Sequence, residues 1–150
     1  MNTKLVSSID AVARSRLVTI SADALLVDVA KLLSDTHISL VVVCASDRAM
    51  VGVITKTNIV QQIGHCRESV GTTAAADVMT RDVTYCRPTD SLPDVLSMMQ
   101  KRGFVHIPVV DENSKPLGVV NARDALRALL TEEKYEASLL RDYVMGVGYR

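Results

Sequence analysis

The sequence predicts a mixed α/β fold: two β-α-β-β-α repeats packed with pseudo-two-fold symmetry, plus a C-terminal helical tail. Three observations predict it. Short β-branched runs alternate with stretches in which apolar residues recur at helical spacing. The same order of elements then occurs again in an unbroken register, since Val12/Val78, Leu26/Leu92, Asp28/Asp94, Val29/Val95, Val43/Val109, Gly52/Gly118 and Val53/Val119 are identical residues at one offset of 66. Each copy, at roughly fifty-five residues, lies below the size that usually folds alone, so the two are expected to share a core.

The first repeat opens with a polar and small-residue lead-in, Asp10 to Arg16, and a β-prone run, Leu17 to Ile20. A helix begins near Asp23 and Ala24, and its apolar face is Leu26, Val29, Ala30 and Leu33. Leu40 to Cys44 is too short and too β-branched for a helix and reads as a buried strand; Ser46-Asp47-Arg48 is a turn, Met50 to Ile54 the next strand, and a helix runs from Thr55 to about Ile63. Gly64 to Ala74, rich in glycine and hydroxyl residues, is a connector.

The second repeat restarts with a strand at Val83 to Cys86, which Pro88 ends. Ser91 then caps a helix that tolerates Pro93 in its first turn and turns Leu92, Val95, Leu96 and Met99 inward. Val105 to Val110 is the middle strand, Asp111 to Lys115 a turn, Pro116 to Val120 the last strand, and a helix follows through Leu130. These limits place one domain at residues 10–66, a second at 74–131 and a tail at 132–150. The tail carries an apolar stripe, Leu139, Leu140, Tyr143 and Val144, suited to docking on the body, on a dimer mate or on a partner.

Composition narrows the function. In 150 residues, 48% are hydrophobic, enough for a packed core, and Lys plus Arg balance Asp plus Glu at 17 each. A neutral chain lacks the summed basic field that non-specific nucleic-acid binding uses, so no nucleic-acid partner is expected. No apolar run approaches the ~20 residues of a membrane span, and the start lacks a signal-peptide core, which predicts a cytoplasmic protein without membrane insertion. Cys44, Cys66 and Cys86 form no CxxC pair, so Cys44 and Cys86 read as small buried hydrophobes. His65-Cys66 alone makes no zinc site, and no metal is expected.

The polar residues that repeat most tightly follow the last strand of each copy. Gly52-Val-Ile-Thr55-Lys56-Thr-Asn58 and Gly118-Val-Val-Asn121-Ala-Arg123-Asp124 each place one polar side chain at a helix start and a second three residues on. That is the spacing of a capping box, in which the first side chain satisfies an orphan amide and the second reaches back to the cap. A helix start also offers unpaired amides and partial positive charge, which favour phosphate.

Together with these stretches, Met79-Thr-Arg-Asp-Val83 and His106-Ile-Pro-Val-Val-Asp111 make the chain resemble a tandem pair of cystathionine-β-synthase (CBS) domains, often called a Bateman module. The resemblance covers about Asp10 to Leu130. It implies two sheets packed through their helices, two clefts between the repeats, a homodimer, and a regulatory ligand containing adenosine: AMP, ADP or ATP, or else NAD or S-adenosylmethionine. No cofactor is required; the nucleotide is the signal, and an unnamed protein is controlled in trans.

By resemblance, Asp124 meets the ribose diol of one cleft, Asn121 stands where the family has Thr or Ser, and Arg123 reaches phosphate. In the other cleft Thr55 keeps the hydroxyl, Lys56 adds a cation, and Asn58 replaces the carboxylate, so ribose should bind there more weakly. The family's crossing of helix ends would bring His37 to the Asp124 cleft, and Lys101, Arg102 and His106 to the Asn58 cleft. Each has a plainer reading beside it: Asp124 as a cap, Lys101 and Arg102 as solvated charges that complement a helix dipole, His106 as a hydrogen-bonded strand residue.

Two other functions compete with ligand sensing. The sequence shows no Ser-His-Asp or Cys-His constellation, no paired acids in a shared motif and no P-loop, so an enzyme is not expected and no catalytic residue is assigned. A structural dimer or adaptor with degenerate clefts is favoured by Asn58 and Asn121, both departures from the family pattern.

Overall fold

The computed structural model describes residues 3–65 and 72–130, His65 by its backbone alone. The tail at 132–150, Cys66 and the middle of the connector lie outside the described residues. The first repeat contains α1 (Asp10–Ser15), β1 (Thr19–Ser21), α2 (Leu26–Leu33), β2 (Leu40–Cys44), β3 (Met50–Thr55) and α3 (Lys56–His65). The second contains α4 (Ala75–Val78), α5 (Leu92–Arg102), β4 (His106–Val110), β5 (Pro116–Asn121) and α6 (Ala122–Leu130).

β1, β2 and β3 form one sheet in that order, β1 parallel to β2 and β2 antiparallel to β3; β4 and β5 form a second, antiparallel sheet. Alternation along the strands gives each sheet two apolar faces. Val41, Val43 and Ile54 turn outward to Leu26, Val29 and Leu33 of α2, all buried. Ile107, Val109 and Val120 turn outward to Leu92, Val95, Leu96 and Met99 of α5, and to Ala125 and Leu129 of α6. Each such side chain removed from water contributes ~1.5–3 kcal/mol, so these faces fix which way the helices lie. α5 starts as its sequence predicts, with Ser91 Oγ accepting from Asp94 N at 3.4 Å and Pro93 in the first turn.

The inner faces carry the join between repeats. Leu40, Val42 and Val53 of the first sheet meet Val119 of the second in one buried cluster, edged by Leu17, Cys44, Met50 and Val83. The sheets therefore pack face to face through strand residues with helices outside, which corrects the expectation that they pack through their helices. The apolar runs at 40–44 and 107–110 suit strands buried on both faces.

The lead-in at 10–16 is not merely a polar segment. It is a 3-10 turn at Val6–Ile9 continuing into α1, and it crosses to the other repeat. A Cβ on Gly118 would lie 2.8–2.9 Å from Ala13, so α1 sits directly on β5. The same crossing runs the other way: a Cβ on Gly52 would lie 2.6–2.8 Å from Met79 and the Thr80 carbonyl. Ala13 and Met79 are themselves 66 apart. Each repeat's lead-in thus covers the other repeat's sheet, and the repeated glycines permit that approach.

A strand was expected at Val83 to Cys86, and none forms there. Only Cys86 pairs, its N donating to the Pro108 carbonyl and its carbonyl accepting from Val110 N, both at 3.0 Å. The reason is Pro108. In the first sheet the equivalent Val42 N donates to Val18 O at 2.8 Å, which starts the β1–β2 ladder. Proline has no N–H, so the equivalent bond to Thr84 cannot form and the second sheet stops at two strands.

Candidate functional site

The two capping stretches lie at the β3–α3 and β5–α6 corners, but the helix-start bonds are divided between them. In the second repeat the first half of the box is made: Asn121 Oδ1 accepts from Arg123 N at 2.8 Å and from Asp124 N at 3.2 Å. In the first repeat the second half is made, with Asn58 Oδ1 accepting from Thr55 N at 2.8 Å and from Thr55 Oγ1 at 3.0 Å. Asn58 Nδ2 also donates to Thr80 Oγ1 at 3.2 Å.

Asp124 does not reach back to its cap. Its carboxylate takes a two-pronged contact from Arg16, Nε to Oδ2 and Nη2 to Oδ1, the latter at 2.9 Å. The Asp124 side chain is 3% exposed and that of Arg16 34%. The hydrogen bond to Asp124 raises the Arg16 pKa further above its usual range. Sequence reasoning passed over Arg16 because a charge beside a helix end looks solvated; its signal was positional, since Asp82 stands at the same place in the other repeat.

His106 joins the two corners. It pairs with Asn121 across β4 and β5, and its Nε2 lies 2.7 Å from Asn121 Nδ2. Asn121 Oδ1 is already accepting two amides, so Nδ2 is the donor and His106 is neutral, with its proton on Nδ1. Burial, and then the nearby Arg16 charge, lower the His106 pKa; Asp124 opposes them.

On its other side His106 lines a cleft of 240 Å³ between the repeats. Thr55, Asn58, Thr80, Asp82 and Thr84 give it polar lining, and Leu40, Val53, Val83, Phe104 and Pro108 supply apolar wall. The Thr80 segment is held there by a reciprocal pair of backbone bonds with Val53, at 2.8 and 3.0 Å. Arg102 is exposed and donates to Thr84 Oγ1 at 3.2 Å, which puts a cation at the cleft's border.

The remaining expected residues stand apart. Lys56 and Arg123 are exposed on the first turns of α3 and α6, and Lys101 faces a shallow recess with Asp94 and Ser97. His37 is exposed, with its backbone N donating to Asp35 Oδ1 at 2.9 Å. The structure therefore brings Thr55, Asn58 and His106 to one cleft, with Arg102 at its border, and Asn121 and Asp124 to the corner closed by Arg16. A larger recess of 610 Å³ lies where Arg48 and Lys115 flank the hairpin ends, remote from both corners. Cys44 is half-buried; Cys86 is buried, and burial, with Asp90 adding to it, pushes its thiol up to about 12, so it stays protonated. Among the described residues no group of three or more His, Cys, Asp or Glu is placed to hold a metal ion. No described helix is long and apolar enough to cross a membrane.

The two corners, one beside an open cleft and one closed by Arg16, lie at the join of two crossed repeats. The chain belongs to the CBS-domain family, whose pattern matches residues 6–65 and 75–131. It is 26% identical over 144 residues to an uncharacterized 17.7 kDa protein of Acidianus ambivalens, spanning 96% of this chain and 86% of that one. Several other curated relatives are longer, the chain covering 20% to 61% of their length. Among solved structures it superposes on CBSX2 in complex with AMP (TM-score 0.72, 21% identity, 85% of this chain and 96% of that one). It also superposes on the CBS domain pair of protein MJ0100 in complex with 5-methylthioadenosine and S-adenosyl-L-methionine (TM-score 0.69, 21% identity, 85% and 96%). Every described element falls in one of the two repeats.

Proposed function

We propose that the chain is a regulatory module that senses an adenosine-containing nucleotide in its inter-repeat clefts and controls a partner protein in trans, as a cytoplasmic homodimer. The supporting observation is the open cleft in which the Thr55 and Asn58 end of one repeat faces Val83, Thr84, Phe104 and His106 of the other. Apolar walls with a few convergent polar groups are the ordinary composition of a small-molecule site. Its 240 Å³ suits a nucleoside, with phosphates left toward Arg102 at the border. AMP in CBSX2, and the adenosyl ligands of the MJ0100 pair, make adenosine the chemistry to test first.

Asp124, Asn121 and Arg123 would serve the second cleft, Asp124 through two oxygens able to accept from both hydroxyls of a ribose. Thr55, Asn58, Lys56, Arg102 and His106 would serve the first. His37 keeps only its family role, near the Asp124 cleft.

The test is thermal unfolding with AMP, ADP, ATP, NAD and S-adenosylmethionine. A ligand at a hundred times its dissociation constant stabilises the native state by ~2.7 kcal/mol. A shift with at least one of them is expected; a folded protein that shifts with none contradicts the reading. It would instead support an adaptor with degenerate clefts, the reading favoured by the internal satisfaction of Asn58 by Thr55 and of Asp124 by Arg16.

A further inference from the structure

We infer that Arg16 is the specificity-determining residue of the Asp124 cleft, and that it makes this cleft select adenosine ligands that carry a phosphate over neutral or cationic ones. The inference rests on the reading of Asp124 as the ribose residue.

The Arg16 fork takes one lone pair of each Asp124 oxygen and the side chain beneath it is 3% exposed, so it is by moving the guanidinium aside that a ribose diol gains access to the carboxylate. Asp124 is buried and loses one charged partner for two neutral donors. Arg16 is a third exposed, so it is free to swing without unfolding its helix end. What it leaves behind must be offset. A ligand phosphate does so by giving Arg16 another anionic partner with two oxygens to accept from its fork, which exchanges one charge-assisted pair for another. Adenosine or methylthioadenosine offers no anion, and the sulfonium of S-adenosylmethionine would add a like charge beside the displaced guanidinium. His106 cannot substitute, because it is neutral and its Nε2 is held by Asn121.

The other cleft supplies the internal contrast. At the position equivalent to Arg16 it carries Asp82, and at the position equivalent to Asp124 it carries the uncharged Asn58. No ion pair need be broken there. The lead-in position thus carries opposite charge in the two sites, and only the Asp124 side ties ribose binding to the release of a cation.

The experiment is isothermal titration of the full chain with AMP and with adenosine, for the native protein, Arg16→Gln and Arg16→Lys. The native protein is expected to prefer AMP by about tenfold or more, Arg16→Gln to bring the two affinities within about twofold of each other, and Arg16→Lys to restore part of the preference. Arg16→Gln leaves Asp124 buried without its cation, so Arg16→Gln/Asp124→Asn, which carries no buried charge, provides a second test and should also lose the preference.

The Arg16 Nε–H resonance in arginine-labelled protein locates the event: AMP should shift it, and adenosine at the same subsaturating concentration should shift it less. An AMP preference unchanged in both the single and double Gln variants would overturn the role of Arg16 while leaving nucleotide sensing intact. A native protein that binds neither compound would overturn both.

Discussion

Arg16 and Asp124, separated by 108 residues of sequence, form the ion pair that ties the start of the first repeat to the last helix of the second. The pair follows from the crossing of the lead-ins: α1 lies on β5, its C-terminal end reaches the β5–α6 corner, and the next residue beyond α1 is Arg16.

Removing Arg16 should cost more than removing a surface charge. Arg16→Ala leaves a 3% exposed carboxylate without its cation and should lower stability by about 2 kcal/mol. That is below the range for fully buried pairs because the guanidinium is partly solvated. Asp124→Asn in the same background should recover most of the loss, since no charge then remains buried. Urea unfolding of the single and double variants measures both; equal losses in the two would show that Arg16 acts through packing rather than charge.

His106 predicts a pH dependence. Its folded pKa lies below its usual 6.5, so between the two values the unfolded chain binds more protons. Its contribution to stability is therefore complete above pH 6.5 and is lost as pH falls through the folded value. Protonation would also set a second donor against the Asn121 amide at 2.7 Å. Melting temperature should fall between pH 7 and pH 5, and His106→Gln, which retains an acceptor for that amide, should fall less over the same interval.

Gly118→Ala tests the crossing itself. Its Cβ would press on Ala13 backbone atoms at 2.8–2.9 Å, which cannot rotate away, so a loss of about 2 kcal/mol is expected. Calorimetric unfolding checks it. An unchanged melting temperature would mean that α1 does not rest on β5.

Pro108→Val tests why the two sheets differ. It restores the donor that Val42 supplies in the first sheet, so the new amide at 108 should be protected from hydrogen exchange and stability should rise by ~0.5–1 kcal/mol. A freely exchanging amide would place the cause of the missing strand in Pro88 or elsewhere.

Much of the fold was legible because its signals are local. The apolar faces of α2 and α5, the strand at Leu40–Cys44 and the Ser91 cap depend on residues near one another in sequence, and each is present. The strand at Val83 to Cys86 was misread because its β-prone residues were sound and its defect lay in the partner strand, at Pro108. The two sheets' inner faces were equally hidden: Val42 and Val119 look like any buried strand residues until the repeats are brought together.

The site was legible as positions and not as partners. Repetition singled out Thr55, Asn58, Asn121 and Asp124, and all four lie at the expected helix starts. Arg16 and Thr80 to Thr84 reach those corners only through the crossing of the lead-ins, a tertiary fact with no local trace beyond the offset of 66. His106 shows the converse, a strand histidine that both plain and functional readings describe, hydrogen-bonded to Asn121 and lining the Asn58 cleft.

The central claim, that adenine nucleotide is sensed between the repeats with Asp124 as its ribose residue, is tested most directly by calorimetric titration of AMP into the native protein, Asp124→Ala and Asn58→Ala. Measurable binding by the native chain is expected, with a loss of about tenfold or more in affinity for Asp124→Ala and a smaller loss for Asn58→Ala. Reversal of that order, or native protein that gives no binding heat and no thermal shift with AMP, would contradict it.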